Sequence, residues 1–341
     1  MALGQAKKEE IMSITMKDIA QIVGVSESTV SRAINNKPGV GEKTRKEILK
    51  VANKYNFSPN QLARNLAKQE SKMIGLILPD ISSLFYSEVA RAIQDFALKK
   101  GYQVVICNTD GAREQENNYI EWLQSNQIAG AIFLGDRLVS NQIMKLGLSD
   151  YPVVLANRLV EGVTLPSVII DNTSGAYKAM EHLLDKNYQN IALINGPQDN
   201  WQAQNRLRGY KQALKDFNLE FNSNLVLHQE WDRESGYQGF LELVKLEEPP
   251  EAIFAANDLI AAGVVEAIKM GGYLVPQDIA VVGFEDTVVT SIIDPPLTTV
   301  AQPMYQMGTQ AVNKLFTLIE DDVRGEEIEI LDCELIIRES T

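Results

Sequence analysis

The sequence predicts an α/β protein in two parts: an all-α helix-turn-helix head, then a larger two-lobed body built on two doubly wound parallel sheets. Three observations carry this. Residues 16–55 hold three short stretches of helical periodicity, separated by Gly24-Val25 and by Pro38-Gly39. From residue 73 onward, apolar runs alternate with amphipathic stretches, which is the pattern of serial β-α units and a parallel sheet. Near residue 190 that pattern restarts, so the body should hold two lobes of one architecture.

In the head, Met16 to Val23 places Ile19, Ile22 and Val23 on one helical face. Thr15 is the expected N-cap, and Asp18 completes a capping box. Gly24 should end this helix, because glycine enters the left-handed region at little cost. Val25 fills the corner. Ser26 caps a second helix, Glu27 to Asn35, with Val30 and Ile34 pointing inward. Its outward face is then Glu27, Ser28, Thr29, Ser31 and Arg32. Such a small, hydroxyl-rich face suits a DNA major groove, where hydroxyls bond phosphates and arginine bridges guanine. A third helix, Glu42 to Tyr55, should seal the core with Ile48, Leu49, Val51 and Ala52. Gly41-Glu42-Lys43-Thr44 is not a phosphate-binding loop, since the glycine spacing is wrong and no strand precedes it. Ser58 and Pro59 then announce a short helix running to Lys68. It is too short to stand alone. It reads either as a partly ordered linker or as a hinge that becomes helical on DNA and offers an apolar wedge to a minor-groove step.

In the body, Met73 to Leu78, Gln103 to Cys107, Gly130 to Leu134 and Val153 to Ala156 read as strands. Phe85 to Lys99, Glu114 to Asn126 and Asn141 to Leu148 read as helices. Asn190 to Ile194 then echoes Met73 to Leu78, with a helix from Trp201 to Phe217. Ala252 to Asp258 echoes Ala131 to Asp136, and Ile279 to Gly283 closes the series.

Charge is divided in the same way. Through Lys72 the chain carries 13 Lys+Arg against 7 Asp+Glu, and the remainder carries 19 against 38. A cationic head on an acidic body fits a chain whose head alone meets phosphates; charge by itself fits a solvated basic helix equally well. The two cysteines, Cys107 and Cys333, lie in apolar runs and read as buried reduced thiols. The two histidines, His182 and His228, form no zinc spacing, so no metal is expected. There is no dinucleotide glycine fingerprint and no nucleophile with a neighbouring base, so neither a cofactor nor a catalytic residue is assigned. A charged, polar N-terminus and the lack of a long apolar run predict a cytoplasmic protein without a secretion signal or membrane span.

Met16-Lys17-Asp18-Ile19-Ala20, Gly24-Val25-Ser26, Thr29-Val30-Ser31-Arg32, Asn35, Thr44-Arg45 and Asn60 through Ala63 to Leu66-Ala67, in this order, resemble the lactose/galactose repressor (LacI/GalR) family. The body resembles that family's periplasmic-binding-protein-like body at Pro79-Asp80, Arg206 to Tyr210, Asn257-Asp258, Val282-Gly283-Phe284 and Pro296 to Val300. The resemblance implies a DNA-binding domain over residues 13–57, a hinge helix and linker over 58–72, and an effector-binding body over 73–341. The body's N-lobe would hold about 73–171 and 301–330, and its C-lobe about 172–300 and 331–341. Met16, Lys17, Glu27, Ser28, Ser31 and Arg32 would then contact an operator, with Thr29, Asn35 and Ala63 in the same interface. Thr44 and Asn60 would meet backbone, and Leu66 from each of two subunits would wedge into the centre of a palindrome. Gly41 departs from the family's capping serine, and Glu285 from its usual aspartate.

Ligands on doubly wound sheets bind outside the carboxyl ends of the strands, so two facing lobes make a cleft. Phe85, Tyr86, Asn157, Arg206, Trp231, Asn257 and Glu285 fall at such ends. Aromatic faces, a charged fork and amide or carboxylate acceptors compose a polyol site, so the expected effector is a sugar or sugar derivative. Trp231 also fits an ordinary amphipathic surface position, and Asn257 a helix cap, a role compatible with lining a pocket. Gln302-Pro303-Met304-Tyr305 resembles the family branch that uses a phosphorylated carrier protein as corepressor. Asn313, however, stands where that branch has a partner-binding arginine, so a small-molecule effector is expected. The expected function is that of an effector-responsive, sequence-specific regulator, a repressor of carbohydrate-related genes. A dimer and not a tetramer is expected: two heads are needed to read a palindrome, and no leucine heptad for further assembly follows the strand expected over Cys333 to Ile337. A sugar-binding protein without a regulatory role is the competing class, and the head argues against it.

Overall fold

A computed structural model describes residues 14–55, 57, 71–135, 143, 145–146, 149, 151–159, 165–321 and 327–341. The chain divides into two compact units, Met1–Ser71 and Lys72–Thr341.

The first unit contains α1 (Met16–Val23), α2 (Glu27–Ile34) and α3 (Glu42–Lys54). The Thr15–Asp18 capping box is formed, Gly24 closes α1 with φ +73°, and Ser26 caps α2. Ile19, Ala20, Val30, Ala33, Ile48 and Ala52 make the core. Two expected core residues lie outside it: Ile22 is 54% exposed and Leu49 39% exposed. In helices this short the inward stripe is narrow: Ala20 is buried beside Ile19 in place of Ile22, while Ile48 and Ala52 are buried as expected. Arg45 of α3 clamps the loop after α2. Its guanidinium donates to the Ala33 carbonyl at 3.1 Å, the Asn36 Oδ1 at 2.7 Å and the Lys37 carbonyl at 2.6 Å.

The second unit begins with β1 (Met73–Leu78), α4 (Leu84–Lys99), β2 (Gln103–Asn108), α5 (Arg113–Ser125), β3 (Ala131–Leu134), β4 (Val153–Ala156) and β5 (Ser167–Ile170). A second set follows: α6 (Asn172–Asp185), β6 (Ile191–Asn195), α7 (Trp201–Asp216), β7 (Val226–His228), α8 (Arg233–Leu243), β8 (Ala252–Ala255), α9 (Asp258–Met270), β9 (Ala280–Glu285), a short α10 (Val289–Ile292) and β10 (Thr298–Ala301). The chain ends with α11 (Met304–Asp321), β11 (Ile328–Leu331) and β12 (Glu334–Ile336). One sheet has the order β11-β5-β4-β3-β1-β2 and the other β12-β10-β9-β8-β6-β7, so the two are built alike. All pairings are parallel except β12 with β10.

The chain crosses between lobes between β5 and α6, between β10 and α11, and between β11 and β12. The segment expected to return to the first lobe forms α11, which packs on α4 and β4. Residues Asn60, Ala63 and Leu66, the hinge helix and most of the helix expected over 141–148 lie outside the described residues.

Four-residue β5 and β11 were not read from the sequence. Strand β11 carries Glu329 inside its apolar run and turns Ile328 and Ile330 outward, so it shows no buried-strand pattern. Two glycines bring α8 and α9 together. A Cβ on Gly236 would strike the Ile260 carbonyl, and one on Gly263 would strike the Arg233 carbonyl.

Candidate effector cleft and DNA-reading surface

The first unit presents the residues expected at DNA from the opening turn of α1, from α2 and from the opening turn of α3. Lys17, Glu27, Ser28 and Arg32 are exposed; Met16, Thr29, Ser31, Asn35 and Thr44 are half-buried. At the start of α2 the Ser26 hydroxyl accepts from the Thr29 N–H at 3.2 Å and lies 2.8 Å from the Ser28 hydroxyl and 2.9 Å from that of Thr29. These hydroxyls are therefore oriented before any partner arrives. Asn35 donates to the Ser31 hydroxyl at 3.4 Å. Gly41 precedes α3 without a side-chain cap, the consequence of the missing serine hydroxyl. Arg45 acts on this surface indirectly, because its clamp sets the loop that ends α2.

In the second unit a cleft of about 570 Å³ is lined by all seven expected pocket residues: Phe85, Tyr86, Asn157, Arg206, Trp231, Asn257 and Glu285. Its size is typical of small-molecule sites. Phe85 and Tyr86 open α4, with ring centroids 5.3 Å apart and edges facing faces. Asn157 follows β4 in the left-handed region, at φ +53°. Its N–H bonds the Val168 carbonyl at 2.8 Å, and its own carbonyl accepts from Gln202 Nε2 of the opposite lobe at 2.7 Å.

Arg206 lies inside α7 and is buried. Its Nε donates to Asn172 Oδ1 at 2.9 Å and one Nη to the Ala256 carbonyl. The guanidinium carbon lies 4.0 Å from the ring centroid of Phe284 and 5.3 Å from that of Trp231. Much of this fork is thus committed to the fold rather than held open. Asn257 performs the capping role: its Oδ1 accepts from the Ile260 N–H at 2.7 Å, and its Nδ2 donates to the Trp231 carbonyl at 3.2 Å. Glu285 ends β9 at φ +120°, followed by Asp286 at φ +61°.

Burial pushes the Glu285 carboxyl up to about 8; the neighbouring Asp258 carboxyl adds to this and Arg206 opposes it. Asp258, fully buried behind it, is pushed up to about 6 by burial, against hydrogen bonds that favour its charge. Those bonds come from the Thr287 N–H at 2.7 Å, the Thr287 hydroxyl at 2.9 Å and the Thr299 hydroxyl at 2.7 Å.

Sequence reasoning missed Gln202 and Gln302 as cleft residues. Gln202 stands one helical turn before Arg206, so an i, i+4 reading of that face would have found it. Gln302 follows β10 and precedes Pro303, outside any helical period that would mark it. Asn157 Oδ1, Gln202 Oε1 and Gln302 Nε2 are buried without a hydrogen-bond partner among the described residues, although their residues are only 5%, 4% and 6% exposed. Buried polar atoms are rarely left so. All three line the cleft, where a ligand rich in hydroxyls would satisfy them.

A helix-turn-helix unit and a two-lobed unit closed around a polar cleft define a class: a DNA-reading head on a small-molecule-binding body. Residues 15–60 match the family model for bacterial regulatory proteins of the lacI family, and residues 180–341 match the periplasmic binding protein-like domain. The HTH-type transcriptional repressor CytR of Escherichia coli is 35% identical over 99% of this chain and 98% of its own. The lac repressor dimer bound to operator and the anti-inducer ONPF superposes with a TM-score of 0.86 at 28% identity, covering 96% of this chain and 98% of that one. The transcriptional regulator CelR in complex with cellobiose gives 0.75 at 26% identity, covering 96% of this chain and all of that one. The chain belongs to the lacI family of bacterial regulatory proteins. It is an effector-responsive, DNA-binding transcriptional repressor. The relatives are transcriptional regulators rather than enzymes. Among the described residues no helix is long and apolar enough to cross a membrane.

Proposed function

We propose that this repressor works in the cytoplasm as a homodimer on a palindromic operator, controls carbohydrate-related genes, and acts by binding rather than by catalysis. Its effector is a sugar or sugar derivative held in the cleft. The observation that carries this reading is the placement of three unpartnered buried amide atoms, from both lobes, around a cleft that also offers Phe85, Tyr86 and Trp231 as ring faces. A polyol supplies donors and acceptors to the amides and an apolar ring face to the aromatics. The cellobiose complex of CelR, similar over 96% of this chain, supports the same ligand class.

Residues 13–57 would read DNA through Met16, Lys17, Glu27, Ser28, Thr29, Ser31, Arg32, Asn35 and Thr44. Residues 58–72 would link the head to the body and add Asn60, Ala63 and Leu66 to the interface. The seven cleft residues would hold the effector, which would bridge the lobes and so bias their relative angle. The test is selection of operators from a random duplex library by the full chain, followed by mobility shift of the winning palindrome against a sugar panel. A palindromic motif whose retention changes with one sugar is expected. A monomeric footprint, or retention indifferent to every sugar while a non-sugar metabolite changes it, overturns the reading.

A further inference from the structure

At the end of β9 the chain turns in a conformation that residues with side chains rarely adopt. Glu285 has φ +120° and Asp286 φ +61°. Aspartate enters the left-handed region more readily than most residues; glutamate has no such allowance. Two such residues in succession persist only where their surroundings hold them, and places of this kind concentrate at ligand sites. Here the first of the two, Glu285, lines the cleft.

Two ties hold this turn. Asp258 takes the N–H and the hydroxyl of Thr287. The second tie comes from Arg338, beyond β12, where the backbone is itself fixed: the Arg338 N–H donates to the Thr298 hydroxyl at 2.9 Å, and that of Glu339 to the Pro296 carbonyl at 3.0 Å. The Arg338 guanidinium then bridges the loop. One Nη donates to Asp286 Oδ1 at 2.6 Å and the other to the Leu297 carbonyl at 2.8 Å, which joins the first and last residues of the segment between β9 and β10. The Thr290 hydroxyl donates to the same Asp286 oxygen at 3.1 Å. With side chains 24% and 28% exposed, the Arg338–Asp286 pair adds little to global stability. What its rigid fork fixes is a direction. Rotation about φ of Glu285 carries its side chain and its carbonyl together. Strand β9 fixes the nitrogen side, and the Gln302 N–H holds the carbonyl at 3.2 Å. A return to negative φ would break that bond and swing the Glu285 carboxyl away from its place beside Asp258 and Arg206.

We propose that Arg338 is a positioning residue of the effector cleft: by tying Asp286 to Leu297 it holds the turn at Glu285 in its positive-φ form and so keeps the Glu285 side chain in the cleft. Its bearing on the effector rests on the cleft being the effector site. The test uses ligand-free protein, so its failure leaves that reading standing. The groups around Glu285 are Asp258 of α9, Arg206 of α7 and the adjoining Asp286; Glu230 and Asp232 ahead of α8, and Asp80 and Asp110 of the first lobe, share the cleft. Burial pushes the Glu285 carboxyl up to about 8, so its contribution to stability falls as pH climbs towards that value. A carboxyl swung into solvent would titrate near 4.5 in folded and unfolded chains alike and contribute no such fall.

The experiment is the melting temperature of the full chain from pH 5 to pH 8, for the parent and for Arg338→Met, Asp286→Ala, Asp286→Asn and Glu285→Gln. Arg338→Met and Asp286→Ala should each flatten the fall to that of Glu285→Gln. Combining either with Glu285→Gln should flatten it no further, because the changes act through one group. Asp286→Asn loses the charge but keeps an Oδ1 that accepts from Arg338, so it should keep most of the parent's slope. An Arg338→Met curve lowered equally at every pH assigns Arg338 to stability alone and overturns the proposal. Flattening by Asp286→Asn as complete as that by Asp286→Ala assigns the effect to charge and overturns it as well. Should Arg338→Met fail to fold, the contrast between the two Asp286 variants decides: a slope lost in alanine and kept in asparagine supports the tie, and equal slopes in the two overturn it.

Discussion

Asp258 stands close enough to Glu285 to raise its carboxyl, and both are acids whose charged form burial disfavours. The folded Glu285 keeps its proton up to about 8, whereas the ordinary value is 4.5. Between those values the folded chain binds more protons than the unfolded one, so stability falls as pH rises. Stability from this group is complete below the ordinary value and lost as pH climbs through the folded one. Asp258 acts in the same direction over its own narrower window, from 3.8 to about 6. The melting temperature of the ligand-free protein should therefore fall from pH 5 to pH 8, and Glu285→Gln should flatten that fall. An unchanged slope in the variant would remove Glu285 as its cause.

Asp258 also has a positioning role, since its carboxylate holds the Thr287 turn just beyond Glu285. Asp258→Asn turns one acceptor into a donor facing donors. It should cost about 1–3 kcal/mol in chemical denaturation and weaken effector binding as the turn shifts.

At the scale of elements, the helices that frame the cleft are placed by small residues and caps. Gly263 of α9 packs against α8 so closely that an added methyl would strike the Arg233 carbonyl and lie 2.8 Å from the Tyr237 nitrogen. Both are backbone atoms and cannot step aside. Gly263→Ala should push the pair apart and cost at least about 1–3 kcal/mol, with a loss of effector response, because Asp232 at the head of α8 and Asn257 at the head of α9 both line the cleft. Gly24 is the contrasting case: nothing lies within 4 Å of its added methyl, and only its φ of +73° resists substitution. Its alanine variant should lose only about 1–2 kcal/mol. Urea titration of the two variants distinguishes collision from backbone strain.

At the scale of the molecule, the chain joins a basic unit and an acidic one, which divides the electrostatic roles. Phosphate attraction belongs to the first unit, while the body's excess of carboxylates would repel DNA. Lys17→Ala should weaken binding to every duplex and reduce the slope of log affinity against log salt by about 1. Glu27→Ala should instead change which operator is selected, because a glutamate in the groove accepts from cytosine and is repelled by phosphate. Equal salt slopes for Lys17→Ala and the parent would show that Lys17 meets no phosphate. Within the body, three strand-end crossings connect the lobes, and the Gln202 to Asn157 bond spans the cleft directly. A ligand competing for that bond would bear on the angle between lobes.

Local order in the chain was enough to specify the class of fold and most of the elements. The cap at Thr15, the stop at Gly24, the cap at Ser26 and the strands Met73–Leu78 and Val153–Ala156 are short-range facts, set by neighbours within one turn or one pleat. The seven cleft residues were also legible by type, since parallel strands place their carboxyl ends, and whatever follows them, at one edge. What needed the folded chain was every property set by distant partners. Ile22 has the right period for a core and lies outside it, because the packing of three helices and not the period of one decides which stripe is covered. Arg206 has the chemistry of an open fork and is largely engaged, because Asn172, Ala256 and Phe284 arrive from elsewhere in the chain. The orphaned amides of Gln202 and Gln302 and the raised carboxyls of Asp258 and Glu285 have the same origin. Burial is the sum over all neighbours in space, and no spacing along a sequence encodes it.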